Sequence, residues 1–122
     1  MKIAAVALLL LLGCSTSAFA EEIHKTGIFS NLYYHEEAGD LLGEEVFIVL
    51  ADEDYYAVYQ IAEGGPEVPI VSKVKIEGDI VEFARPKKYG GIFKGRYTAK
   101  GIELEKENVA GKILWRRGSY WQ

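Results

Sequence analysis

Residues 70–83, Ile70-Val71-Ser72-Lys73-Val74-Lys75-Ile76-Glu77-Gly78-Asp79-Ile80-Val81-Glu82-Phe83, decide how this chain folds. Ile70, Ser72, Val74 and Ile76 fall on one face of an extended segment, and Lys73, Lys75 and Glu77 on the other. Successive side chains of a strand point to opposite sides, so a period of two describes a strand with one apolar and one wet face. Gly78-Asp79 turns the chain and Ile80 to Phe83 returns, which makes a hairpin.

The pattern extends outward in both directions. Glu45 to Ala51 pairs with Tyr55 to Ala62 across the acidic turn Asp52-Glu53-Asp54, and Ile92 to Thr98 pairs with Ile102 to Glu105 around Lys100-Gly101. Thr26 to Tyr34 reads as the first strand and Lys112 to Arg117 as the last. Valine, isoleucine, tyrosine and phenylalanine dominate these segments, as suits a pleated, half-buried surface. No stretch holds a helical period. The best helical candidate is His35 to Leu42, which Gly39 and Gly43 cut short. Gly64-Gly65-Pro66 and Tyr89-Gly90-Gly91 read as loops between hairpins. The expectation is an all-β fold, an antiparallel up-and-down meander of about eight strands closing into a small barrel, with a β-sandwich as the alternative. Closure removes the unpaired edges that an open sheet would expose.

Composition narrows the function classes. The chain has 122 residues, of which 49% are hydrophobic and 26% charged, the size and balance of one folded domain. A net charge of -4 gives no basic stripe for nucleic acid. One cysteine excludes an intramolecular disulfide framework and a cysteine-built zinc site.

The first twenty residues read as a signal peptide. Lys2 is followed by the apolar run Ile3 to Leu12, too short to span a bilayer, which takes about 20 residues. Ala18-Phe19-Ala20 before Glu21 is an A-x-A cleavage site, which would release a periplasmic or secreted chain. Leu11-Leu12-Gly13-Cys14 resembles a bacterial lipobox, in which Cys14 would be lipidated and anchor the protein to a membrane. Both readings place the folded part, 21–122 in the first case, outside the cytoplasm. Cleavage after Ala20 removes only Lys2 among the charges and leaves 13 basic against 18 acidic residues, with no Cys and no Met.

Catalytic patterns are absent. Ser30, Ser72 and Ser119 carry no nucleophile motif, and His24 and His35 read as surface or loop residues, so no catalytic residue is assigned. His35-Glu36-Glu37 with Asp40, and Asp52-Glu53-Asp54, lack the spacing of a zincin or an EF-hand and read as solvated turn acids. No metal site and no cofactor is expected. Arg85-Pro86-Lys87-Lys88 and Arg116-Arg117 are basic spots able to touch an anionic partner such as a lipid head group.

Aromatic residues are the richest feature. Tyr33-Tyr34 and Tyr55-Tyr56 lie in strands, so each pair should put one ring inside and one outside. Tyr55, Ala57, Tyr59, Ile61, Phe93, Gly95 and Tyr97 are the inward candidates for a pocket, their small members leaving room between the rings. The end Ser119-Tyr120-Trp121-Gln122 carries no charged side chain, and Tyr120 or Trp121 is expected to plug a mouth of the barrel or seal the seam between first and last strands.

Gly27-Ile28-Phe29 at the first strand and Arg116-Arg117 on the last, after Trp115, give the chain a resemblance to small lipocalin-like (calycin-type) barrels. Those barrels open with G-x-W and carry a basic residue on the last strand that packs across the Trp. Phe29 stands here where that family has Trp, and the chain is shorter. It is also similar to small exported bacterial proteins. The resemblance implies non-enzymatic binding of a small apolar or amphipathic ligand in the cell envelope. The alternative is a protein-interaction module, a secreted inhibitor or envelope assembly factor, working through loops 35–42 and 84–91.

Overall fold

The computed structural model describes residues 23–105 and 112–122. The signal segment 1–20, its A-x-A site and Cys14 lie outside the described residues. The described residues hold nine strands in chain order: β1 (Gly27–Ser30), β2 (Tyr33–His35), β3 (Asp40–Ala51), β4 (Asp54–Gly64), β5 (Ile70–Glu77), β6 (Ile80–Ala84), β7 (Ile92–Thr98), β8 (Gly101–Glu105) and β9 (Lys112–Arg117). Every pairing is antiparallel.

From β3 to β9 each strand pairs with the next, and β1 then pairs with both β9 and β3. That last pairing closes an eight-stranded ring and excludes the sandwich. The hairpin that opened the reading runs as expected, with Glu77 opposite Ile80 and Val74 opposite Phe83. The β3–β4 hairpin is longer than its apolar core suggested, reaching from Ala51 opposite Asp54 to Leu41 opposite Gly64.

Two local expectations are overturned at the start of the chain. The first strand does not run through from Thr26 to Tyr34. β1 and β2 lie end to end along β3, separated at Asn31-Leu32. There Asn31 donates its backbone N–H to the Glu44 carbonyl at 3.0 Å and accepts the Glu44 N–H on Oδ1 at 2.7 Å. The opposing residue has to be Gly43, because a Cβ there would sit 2.6 Å from the Asn31 carbonyl oxygen, at a φ of +105°. The helical candidate His35 to Leu42 is instead a hairpin turn and the start of β3, closed by the Gly39 N–H on the His35 carbonyl at 2.9 Å. The glycines that would shorten a helix supply the turn. As a result Tyr33 and Tyr34 are both half-exposed, since β2 extends past the closed ring and neither of its faces lies over the core.

The interior is built by alternation. Phe29, Val46, Ile48, Ala57, Tyr59, Val74, Val81, Phe83, Phe93, Tyr97, Ile102, Leu104 and Trp115 form one buried cluster. A second, smaller cluster of Leu32, Leu41 and Ala62 sits at the β1–β2 break. Leu41 is out of phase with Val46 and Ile48 along β3, which places this cluster on the outer face.

The C-terminal segment docks, but its rings do not plug the barrel. Glu45, on the outer face of β3, accepts the Ser119 hydroxyl at 2.8 Å and the Tyr120 N–H at 2.9 Å. Tyr120 and Trp121 pack edge-to-face with each other and remain largely exposed. A carboxylate capping the final turn, not apolar burial, holds the chain end.

Candidate functional site

One end of the barrel carries a half-buried polar cluster over the aromatic interior. β3 enters the ring there, β4 leaves it, and the β6–β7 loop crosses above. Strand alternation sets Glu44 in phase with the inward Val46 and Ile48, and Arg85 in phase with the inward Phe83. Glu44 Oε1 accepts the Tyr59 hydroxyl at 2.5 Å and the Arg85 Nη1 at 2.9 Å. The Glu44 and Arg85 side chains are each only 14% exposed, so the pair is shielded from water. Arg85 also faces the Phe93 ring, with Cζ 5.7 Å from its centroid. Its Nε is buried and has no acceptor among the described residues.

Burial, reinforced by the bond to Glu44 and its charge, pushes the Tyr59 phenol well above its ordinary value. Tyr59 is therefore a neutral donor at any physiological pH. Apolar residues rim the same end, with Ile70 directly opposite Tyr59 and Ile61 directly opposite Glu44. Ile70 is 38% exposed and Ile61 is half-buried.

Below this cluster the rings touch in series. Tyr59 meets Phe83 at 5.9 Å, Phe83 stacks on Phe93 at 4.4 Å, and Phe93 meets Trp115 at 4.6 Å. Such contacts favour the filled centre of a small barrel over an open one.

The seven pocket candidates distribute along this column. Ala57, Tyr59, Phe93, Gly95 and Tyr97 are buried in it, while Tyr55 and Ile61 pack on it at opposite ends of β4. Gly95 does not leave room between rings. An added Cβ there would stand 2.5 Å from an Ile102 methyl and 3.3 Å from the Phe93 ring, so those neighbours already occupy the space. Tyr59 belongs to the polar cluster. Tyr97 works at the other end, where its hydroxyl donates to the Lys25 carbonyl at 2.8 Å and Lys25 Nζ lies 4.7 Å from its ring.

Glu44 and Arg85 were missing from the sequence reading as pocket residues. The available signal was an acid in the inward phase of β3 and a base in the inward phase of β6 carried one residue past its end. Of the two C-terminal arginines, Arg117 packs across Phe29, with Cζ 4.7 Å from the ring centroid, and its guanidinium donates to the His24 and Thr26 carbonyls. Arg116 pairs with Ser30 and is exposed. Among the described residues no group of His, Cys, Asp and Glu side chains is gathered closely enough to hold a metal, and the acids of 36–40 and 52–54 lie at hairpin turns.

The closed meander, with Gly27-Ile28-Phe29 on its first strand under Arg117 of its last, is consistent with a lipocalin-like small barrel. Comparisons with protein-family models, curated proteins and solved structures return no match to this chain.

Proposed function

We propose that this protein is an exported, non-enzymatic binding barrel of the cell envelope, related in kind to calycin-type barrels, that takes a small amphipathic ligand at the Glu44 end. The observation that carries this reading is the juxtaposition there of polar and apolar groups. A shielded Glu44–Tyr59–Arg85 cluster stands among Ile61, Ile70 and the ring column, and one of its donors, Arg85 Nε, has no partner among the described residues. Ligand sites of this class are mainly apolar, with a few converging polar groups that orient the head of the ligand. Because the ring column is packed, the site lies at the mouth and not at the centre.

Native mass spectrometry of the protein extracted from its own envelope tests this, since it reads a bound molecule by mass. An added mass that is absent when Tyr59 and Arg85 are replaced supports the reading. Ligand-free protein that also fails to take up any of a panel of single-chain amphiphiles overturns it.

A second reading, a protein-interaction module, draws on Tyr33 and Tyr34, half-exposed beside the 35–42 loop. The 84–91 loop favours it less, because Arg85 ties that loop inward to Glu44. A partner captured by wild-type protein and lost on replacing both tyrosines would favour this reading over the first.

A further inference from the structure

We infer that the head group of the ligand is an oxyanion, a carboxylate or a phosphate ester, held on the Nε/Nη2 edge of Arg85 beneath Gly90. This inference rests on the amphipathic-ligand reading above and names the chemistry of its polar end.

Three observations carry it. Arginine offers paired N–H donors along its side edge, matched in spacing to two oxygens of a carboxylate or phosphate. Glu44 occupies Nη1 alone, and shares that same oxygen with Tyr59. The Nε of the remaining edge is buried and has no acceptor among the described residues, a state that costs about 1–3 kcal/mol unless something satisfies it.

Second, the loop backbone passes close over this edge. Gly90 has a φ of +105°, and a Cβ there would stand 3.0 Å from Nη2 and 3.7 Å from Nε. A side chain there would crowd the donors, and glycine spares them that contact.

Third, the loop is positively charged and, beyond Arg85, lightly fastened. Arg85, Lys87 and Lys88 lie within four residues, which offsets the Glu44 charge that would otherwise repel an anion. Loop ends are joined by the Arg85 N–H on the Gly91 carbonyl at 2.8 Å, and the 3-10 turn Lys87–Tyr89 is held by bonds internal to the loop. That turn contributes no buried residue. Among the described residues the ion pairs from the loop to the barrel are Arg85 to Glu44 and an exposed Lys88 to Glu63 at 3.7 Å. Few buried contacts mean a low local opening cost. Residues 86–90 can therefore lift while Arg85 stays on Glu44, admit a head group to the buried Nε and settle back over it.

The test compares three amphiphiles of equal chain length, dodecanoate, dodecyl phosphate and the neutral dodecyl maltoside, by titration calorimetry against protein expressed from the full sequence. Wild type should bind at least one of the two anions tenfold or more tightly than the maltoside, and which anion wins identifies the source of the oxyanion. Arg85→Lys keeps a cation near Glu44 but removes the paired edge, and should lower that anion-to-neutral ratio by tenfold or more. Gly90→Ala sets a methyl against the Nε/Nη2 edge and should lower it likewise, which keeps the test alive if Arg85→Lys does not fold. Equal affinity for anions and maltoside, or a ratio that survives both substitutions, overturns the oxyanion site while leaving the amphiphile reading standing. Failure of all three probes to bind overturns both.

Discussion

Arg85, just beyond the end of β6, places Nη1 2.9 Å from Glu44 Oε1 on β3, joining two side chains 41 residues apart across one mouth of the barrel. Neither position reads as polar core by composition, and the pair is shielded enough to matter energetically. Attraction between shielded charges roughly offsets the cost of removing them from water, but a lone survivor retains that cost.

Removing one partner should therefore be worse than removing both. Glu44→Gln leaves the guanidinium without its counter-charge and should destabilise the fold by about 2–4 kcal/mol, read as a lowered urea midpoint at constant slope. The double variant Glu44→Gln/Arg85→Met should recover part of this loss. A double variant as unstable as the sum of the two single ones would show that the residues do not act as a pair.

The two tryptophans should behave as opposites. Trp115 is fully buried against Phe93, whereas Trp121 is 54% exposed. Trp115→Ala should cost about 3–5 kcal/mol, the range for emptying a large core site. Trp121→Ala should stay within about 0.5 kcal/mol of wild type. Acrylamide quenching checks the placement, since it should be strong in Trp115→Phe, where Trp121 emits, and weak in Trp121→Phe.

Alkaline pH should destabilise the fold through Tyr59 and Tyr97. Burial raises both phenols above their ordinary value of 10.0. Above that value the unfolded chain loses these two protons while the folded chain keeps them, so unfolding releases protons. The stability they contribute is intact below about pH 10 and is lost as pH climbs from the unfolded value toward the folded ones. Denaturation midpoints measured between neutral and strongly alkaline pH should fall once that value is passed. The fall should be shallower in Tyr59→Phe/Tyr97→Phe, which has nothing to ionise at either site.

Arg117 should act as a local clamp. Its guanidinium lies over Phe29 and donates to the His24 and Thr26 carbonyls, so Arg117→Ala should cost about 1 kcal/mol. Hydrogen exchange at Lys25 to Phe29 should accelerate, while exchange in β5 and β6 should not change. Uniform acceleration across the sheet would mean that Arg117 has no local role.

How far the sequence is legible follows from how local each determinant is. The Ile70 to Phe83 hairpin and the Lys112 to Arg117 strand are set by neighbours one and two residues away, and both occur where alternation puts them. The break at Asn31 needs Glu44 and Gly43, which only pairing with β3 brings opposite it. The outer-face cluster of Leu32, Leu41 and Ala62 depends on the same meeting. In the candidate site, Tyr59 is visible as an inward ring. Glu44 and Arg85 are not visible as partners, because nothing between residues 44 and 85 says that their strands meet at one mouth.

From Glu45 onward the amino-acid order alone determined where the described strands lie, which way their side chains alternate and where the hairpins turn, because sterics and apolar periodicity act between near neighbours. Tertiary structure alone decided that β1 would pair with both β3 and β9, that Gly95 would be filled by Ile102, and that Glu44 would receive Tyr59 and Arg85 on one oxygen. Those outcomes depend on how strands distant in the chain are staggered when the ring closes, and that stagger is a property of the whole cylinder.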